Sequence, residues 1–195
     1  RTVIAVEGVE ADDVIATLAK KATEHGIESV ISTGDKDMAQ LVNERVTLID
    51  TMSNHLMDVD GVKARYGVKP EQIIDYLRLM GDTSDNIPGV PKVGPKTAAK
   101  WLEEYGTLDN LIAHADEIKG VAGKNLREFI PNFEMTRRLV TIKQDCNLPE
   151  EIDSPDDLRP LNQDKDTLID IFQKYGFRTW LRELTGDPDA IPEQD

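Results

Sequence analysis

The chain has 195 residues, 39% of them hydrophobic, with a formal net charge of −14. That size suits one globular domain, or one with a small appendage, and no apolar run reaches membrane-spanning length. A single cysteine, Cys146, rules out an internal disulfide; it reads as a structural thiol in a reducing, cytoplasmic setting.

The start, RTVIAVEG, has neither an initiator Met nor a signal-peptide pattern and opens on a strand-like run. The end, GDPDAIPEQD, has the composition of a linker. Both ends are expected to be edges of a longer polypeptide. Residues 2–6 (TVIAV) read as a buried strand. A helix is expected over 10–24, with Val14, Ile15, Leu18 and Ala22 on one face, ended by Gly26. A second buried strand follows at 29–33, then a short helix at 37–42. A third strand at 46–52 is followed by HLMDV, a candidate hairpin partner. Alternation of strands and helices argues for an α/β fold with a mostly parallel sheet.

Beyond residue 60 the pattern turns helical. Short helices are expected at 62–66, ending at Gly67, and at 70–80, entered through Pro70. The Gly/Pro-rich stretch GDTSDNIPGVPKVGPK precedes a helix that starts at Pro95 and ends at Gly106. Further helices are expected over 108–118, over 124–144 with a break at Pro131, over 166–175 and over 179–184. Trp101, Tyr105, Phe172 and Trp180 sit at helix-compatible positions and read as core. The working division is 1–60 for the α/β portion, 61–145 for the helical region and 146–195 for the terminal helices and linker.

Acidic residues gather at three places: Glu10, Asp12 and Asp13; Asp35 and Asp37; Asp82 and Asp85. The first two groups follow expected strands, and ligands of open α/β sheets bind beyond the carboxyl ends of strands. Seven carboxylates in one cleft would repel one another unless neutralised, and a pair of Mg²⁺ ions suits such hard oxygen donors. Two ions side by side support phosphodiester hydrolysis. The same residues also have ordinary uses. Asp12 and Asp13 favour a helix N-terminus, Asp35 can cap the next helix, and Asp82 and Asp85 can form turns. Spacing by itself does not choose between these uses. His25, His55 and His114 lack zinc-like spacing, and nothing suggests a Ser or Cys nucleophile.

The segment 87–98, IPGVPKVGPKTA, lies between two helices. Gly89 and Gly94 permit tight turns and close backbone approach. The helix N-terminus behind Pro95 is an anion site in waiting, and Lys92, Lys96 and Lys100 are placed to pair with phosphates. This combination reads as a sequence-independent grip on a DNA backbone through Gly89, Val90, Lys92, Val93, Gly94, Lys96, Thr97 and Lys100. The alternative is a plain capped helix–helix connection. The charge distribution agrees with the grip. Residues 86–145 carry 9 basic and 8 acidic residues, against 9 and 16 in 1–85 and 5 and 13 in 146–195.

GVEADDVIATLA, STGDKDMAQLV, LMGDTSDNIPGVPKVGPKTA and FQKYGF, in this order, resemble the 5′→3′ exonuclease domains of bacterial DNA polymerase I, within the flap endonuclease superfamily. The resemblance implies a PIN/5′ nuclease-like sheet, truncated at its N-terminus, followed by a helix–hairpin–helix region. It implies Glu10 and Asp12, with Asp13 adjacent, around a first Mg²⁺ or Mn²⁺ ion. Asp35, Asp37, Asp82 and Asp85 would surround a second. It implies a K⁺ ion held by backbone carbonyls of the hairpin, and DNA with a 5′ flap, nick or gap as substrate. Polymerase domains are expected to follow in a monomeric bacterial enzyme. The family pattern has a strand and helical region before the position of Arg1, carrying further metal ligands. The chain on its own is therefore expected to have little nuclease activity. Two rivals are a PIN-type ribonuclease and a DNA-binding module without catalysis.

Overall fold

The computed structural model describes residues 10–147, of which 10–146 belong to one compact unit. The expected strand at 2–6 and the helices at 166–175 and 179–184, with Phe172 and Trp180, lie outside the described residues. Helix α1 (Ala11–Glu24) leads to strand β1 (Ser29–Thr33), a 3₁₀ turn (Lys36–Leu41) and strand β2 (Val46–Asp50). Strand β3 (Leu56–Met57) and α2 (Val59–Tyr66) follow. Strands β1 and β2 pair in parallel, with Thr33 opposite Asp50, and β3 returns antiparallel on β2. The hairpin expected of HLMDV is therefore present, in a sheet ordered β1-β2-β3.

The strand at 29–33 is not buried as expected. Only Ile31 is fully covered, while Val30 is 61% exposed. Successive strand residues face opposite sides, and the Val30 side is open. Strand β2 does read as a buried run, with Val46, Leu48 and Ile49 in the core.

In the helical region, Pro70–Gln72 form a 3₁₀ turn into α3 (Ile73–Met80), and α4 (Pro95–Tyr105) begins at the expected proline. Gly67 and Gly106, at φ 75° and 80°, close α2 and α4 in the left-handed region where glycine is favoured. Helix α5 (Leu108–Ala113), α6 (Gly120–Phe129) and α7 (Phe133–Val140) complete the unit. The 3₁₀ turn Ile130–Asn132 separates α6 from α7, at the break expected from Pro131. Helix α7 ends at Val140, short of the expected 144. Here the Gln40 side chain accepts from the Ile142 amide (3.0 Å) and donates to the Val140 carbonyl (2.9 Å), taking up groups a continued helix would use.

The core is one cluster running from Ala16 and Ala19 of α1, through Met38, Leu48 and Leu77, to Trp101, Leu111, Leu126 and Phe133. Polar ties fix the helices on one another. Buried Arg78 donates to the Phe133 carbonyl (3.2 and 3.1 Å) and to Asp75 (3.0 Å), while Asp75 accepts from the Leu108 amide (3.0 Å). These bonds satisfy a buried guanidinium that would otherwise be costly. Among the described residues no helix is long and apolar enough to cross a membrane.

Candidate functional site

The parallel pairing of β1 with β2 brings their carboxyl ends to one sheet edge. Asp35 follows β1, and Asp50 ends β2. The Asp35 carboxylate accepts from the Asp37 amide (2.9 Å) and so caps the 3₁₀ turn. Capping and clustering are not exclusive here. One oxygen from each of Asp35, Asp37 and Asp85 lies within 4.8 Å of the others. Asp37 is buried, and its Oδ1 has no hydrogen-bond partner.

Asp82 and Asp85 reach this edge through the loop after α3. Gly81 (φ 73°) turns the chain, and Asp82 and Ile87 exchange backbone hydrogen bonds of 2.9 and 2.7 Å. The Val90 amide donates to the Leu79 carbonyl (2.8 Å), drawing Gly89 against Gly81. A Cβ on Gly89 would collide with the Met80 carbonyl group and the Gly81 amide. The loop is thus clamped by a backbone contact that only glycines permit. Asp82 is buried and forms a 3.0 Å ion pair with Lys36; its Oδ1 accepts from the Ser84 amide (3.0 Å) and hydroxyl (2.5 Å).

The electrostatics follow from this crowding. Burial first, then Asp35, Asp82 and Asp85, push the Asp37 carboxyl up to about 7, with Lys36 opposing. Asp12 is also raised, by burial and then by Asp35, Glu10, Asp13 and Asp85, which puts the first turn of α1 in the same field. Asp82 goes the other way. Burial raises it, but Ser84 and Lys36 together outweigh burial and hold it below the usual carboxylate range.

Of the seven sequence candidates, the structure therefore gathers Asp35, Asp37 and Asp85 closely, sets Asp82 beside them through Lys36, and leaves Asp12 within the electrostatic field of Asp35 and Asp85. Glu10 is exposed and sits at the N-terminal start of α1, its carbonyl accepting from the Asp13 and Val14 amides. Asp13 faces elsewhere, its Oδ1 accepting from the Lys143 amide (3.0 Å).

The fit to a divalent cation is good on two counts: every donor is a carboxylate oxygen, and one buried oxygen lacks any partner. An open cleft of about 510 Å³ joins Asp35, Asp82 and Asp85 to Asp50, Arg65 and Tyr66. Sequence reasoning passed over these last three, although Asp50 was legible as the last residue of an expected strand.

In the hairpin, Val90 and Val93 are buried and closed by a 3.1 Å backbone hydrogen bond, so they anchor the segment and leave only backbone to a ligand. Lys92, at φ 64°, occupies the left-handed region that few non-glycine residues adopt. Lys92, Lys96 and Lys100 are exposed, and Thr97 is half-buried. The N-terminus of α4 receives no side-chain cap, and a Cβ on Gly94 would meet nothing within 4 Å. Asn125 of α6 ties the hairpin by donating to the Pro91 carbonyl (2.8 Å).

Comparison with known proteins agrees with this architecture. The family described as 5′-3′ exonuclease, N-terminal resolvase-like domain, matches residues 1–67, and 5′-3′ exonuclease, C-terminal SAM fold, matches 68–165. The chain belongs to the 5′-3′ exonuclease family. It is 46% identical over 190 residues to a DNA polymerase I of Pseudomonas aeruginosa, covering 93% of this chain and 20% of that protein. To the DNA polymerase I of Bacillus subtilis it is 42% identical over 199 residues, covering 97% of this chain and 22% of the relative. The chain thus spans about a fifth of the length of these curated relatives. Among solved structures, a T5 5′-exonuclease with bound divalent zinc ions superposes with a TM-score of 0.63 at 25% identity, covering 69% of this chain and 51% of that one. A bacteriophage T5 flap endonuclease, in a complex with DNA and metal ions, shares the fold at a TM-score of 0.64 and 24% identity, covering 69% of this chain and 50% of that one.

Proposed function

We propose that the chain carries the divalent-metal site and the duplex-binding hairpin of a structure-specific 5′ nuclease, acting on 5′-flapped, nicked or gapped DNA in replication and repair. The observation behind this is the unpartnered, buried Asp37 oxygen within a cluster of Asp35, Asp37 and Asp85 at a sheet edge. Asp35, Asp37 and Asp85, with Asp82 behind them and Asp12 and Glu10 at the start of α1, would hold Mg²⁺ or Mn²⁺. When bound, two such ions neutralise the carboxylates and supply Lewis-acid activation for phosphodiester hydrolysis.

The chain's own residues provide position. Asp35 fixes the Asp37 backbone, Lys36 holds Asp82, and the Gly81–Gly89 contact holds the loop that carries Asp85. Meanwhile Lys92, Lys96 and Lys100, with the uncapped start of α4, would hold duplex phosphates away from the cut. A K⁺ ion on the hairpin carbonyls, a bacterial cytoplasmic setting, a monomeric state and polymerase domains further along the parent polypeptide belong to the same reading.

The test is a pair of titrations. Mg²⁺ or Mn²⁺ should bind the chain and raise its unfolding midpoint, and Asp35→Asn with Asp37→Asn should abolish this while duplex binding persists. Loss of duplex binding in that variant with no change in metal binding would favour a non-catalytic DNA-binding module. Preference for single-stranded RNA over flap DNA would favour a PIN-type ribonuclease.

A further inference from the structure

Two cations line the cleft beside the carboxylates among the described residues, and they are used differently. Lys36 is committed to buried Asp82 at 3.0 Å. Arg65, near the end of α2, meets Asp50 at a longer 3.6 Å, and its side chain is 55% exposed. Asp50 does not depend on it. Its Oδ1 accepts from the Met52 amide (2.8 Å) and the Ser53 amide (3.3 Å). A guanidinium has five N–H donors, and among the described residues one long contact to Oδ2 occupies few of them.

Arg65 is also supported from beneath. Its guanidinium carbon lies 6.0 Å from the centre of the Tyr66 ring, and Tyr66 packs on buried Tyr76 with ring centroids 6.2 Å apart. Charge, aromatic support and open donors meet in the same cleft of about 510 Å³ that holds Asp35, Asp82 and Asp85. A guanidinium is suited to grip two oxygens of one phosphate, where an ammonium acts as a point charge.

We infer that Arg65, backed by Tyr66 and steered by Asp50, binds a backbone phosphate of the DNA strand close to the bond presented to the carboxylate cluster. Arg65 is a positioning residue and forms no part of the carboxylate centre. The inference rests on the nuclease reading above and adds to it a second phosphate contact, on the sheet side of the molecule, independent of the hairpin.

The experiment measures affinity of the chain for a 5′-flap duplex against salt concentration, together with a scan in which single phosphates near the junction are replaced by neutral methylphosphonates. Arg65→Gln should weaken binding by about tenfold and lower the salt slope by about one. One methylphosphonate position near the junction should lose affinity in the unsubstituted chain and lose no more in R65Q. Arg65→Lys, which keeps the charge toward Asp50 but not the fork, should keep the slope and lose part of the affinity; it also serves if R65Q folds poorly. Unchanged affinity and slope in R65Q, or methylphosphonate effects that add to it at every position, overturn the Arg65 contact while leaving the nuclease reading in place. Failure of the unsubstituted chain to bind flap duplex at any salt overturns both.

Discussion

The sheet edge and the hairpin handle charge in opposite ways. At the sheet edge, like charges are crowded and partly buried, so that Asp37 is driven up to about 7 and one of its oxygens is left without a partner. At the hairpin, Lys92, Lys96 and Lys100 are exposed, and the glycine and helix start beside them face open space. The first arrangement suits a small, hard ion that removes an internal electrostatic cost. The second suits a long polyanion whose counterions are released on contact. Concentrated, desolvated charge selects a point ligand; dispersed, hydrated charge selects an extended one.

The most direct way to break this contrast is Asp37→Asn. Divalent affinity, measured by calorimetric titration, should fall by at least the roughly 10–100-fold that losing an outer-shell partner costs. Duplex affinity should change little, and a parallel loss of both would mean that the two regions are not separate.

Next in size is a pair of glycine variants. Gly89→Ala forces a Cβ into the Gly81 backbone and should cost ~1–3 kcal/mol in denaturant unfolding. It should also impair divalent binding, because this contact sets the loop of Asp82 and Asp85. Gly94→Val meets open space in the free chain and should stay within about 0.5 kcal/mol. It should nevertheless weaken duplex binding by blocking the approach of a phosphate. Equal stability losses in the two would remove the distinction between a structural and a binding glycine.

A pH series sharpens the electrostatic half. The Asp37 carboxyl has its ordinary value of 3.8 when unfolded and about 7 when folded. Between these values the unfolded chain has released the proton that the folded chain still holds. The contribution of Asp37 to stability therefore falls as pH rises through this window and levels off above it. Midpoints of the metal-free chain should show this fall; Asp37→Asn should flatten it, and a saturating divalent ion should reduce it. The smallest effect is expected from Lys96→Ala, which should lower the salt slope of duplex binding by about one while leaving the pH series unaltered.

Much of the architecture was legible because it rests on local chemistry. Pro95 opens α4, Gly67 and Gly106 close helices, and Pro131 marks the break between α6 and α7. The open face at Val30 was not legible, since a short strand-like run of five residues looks alike whether one side or both are covered. The end of α7 was missed because it is decided by Gln40, about 100 residues away in sequence. In the site, Asp35 and Asp37 stood out by spacing, whereas Asp50 and Arg65 look like an ordinary strand end and an ordinary helix charge until β2 and α2 are set beside the cluster.

What the sequence determined by itself was the inventory: which segments are helix or strand, where they stop, and which short stretches carry carboxylates or lysines. Propensities, caps and turn residues act over a few neighbours, so these features are written locally. The tertiary structure alone decided which carboxylates share a field. It put Asp12 in the field of Asp35 and Asp85 and left Asp13 bonded to the Lys143 amide, though the two are adjacent on one helix. Consecutive helical residues project about 100° apart. Their roles therefore follow from what is packed against each face, and only the folded chain specifies that.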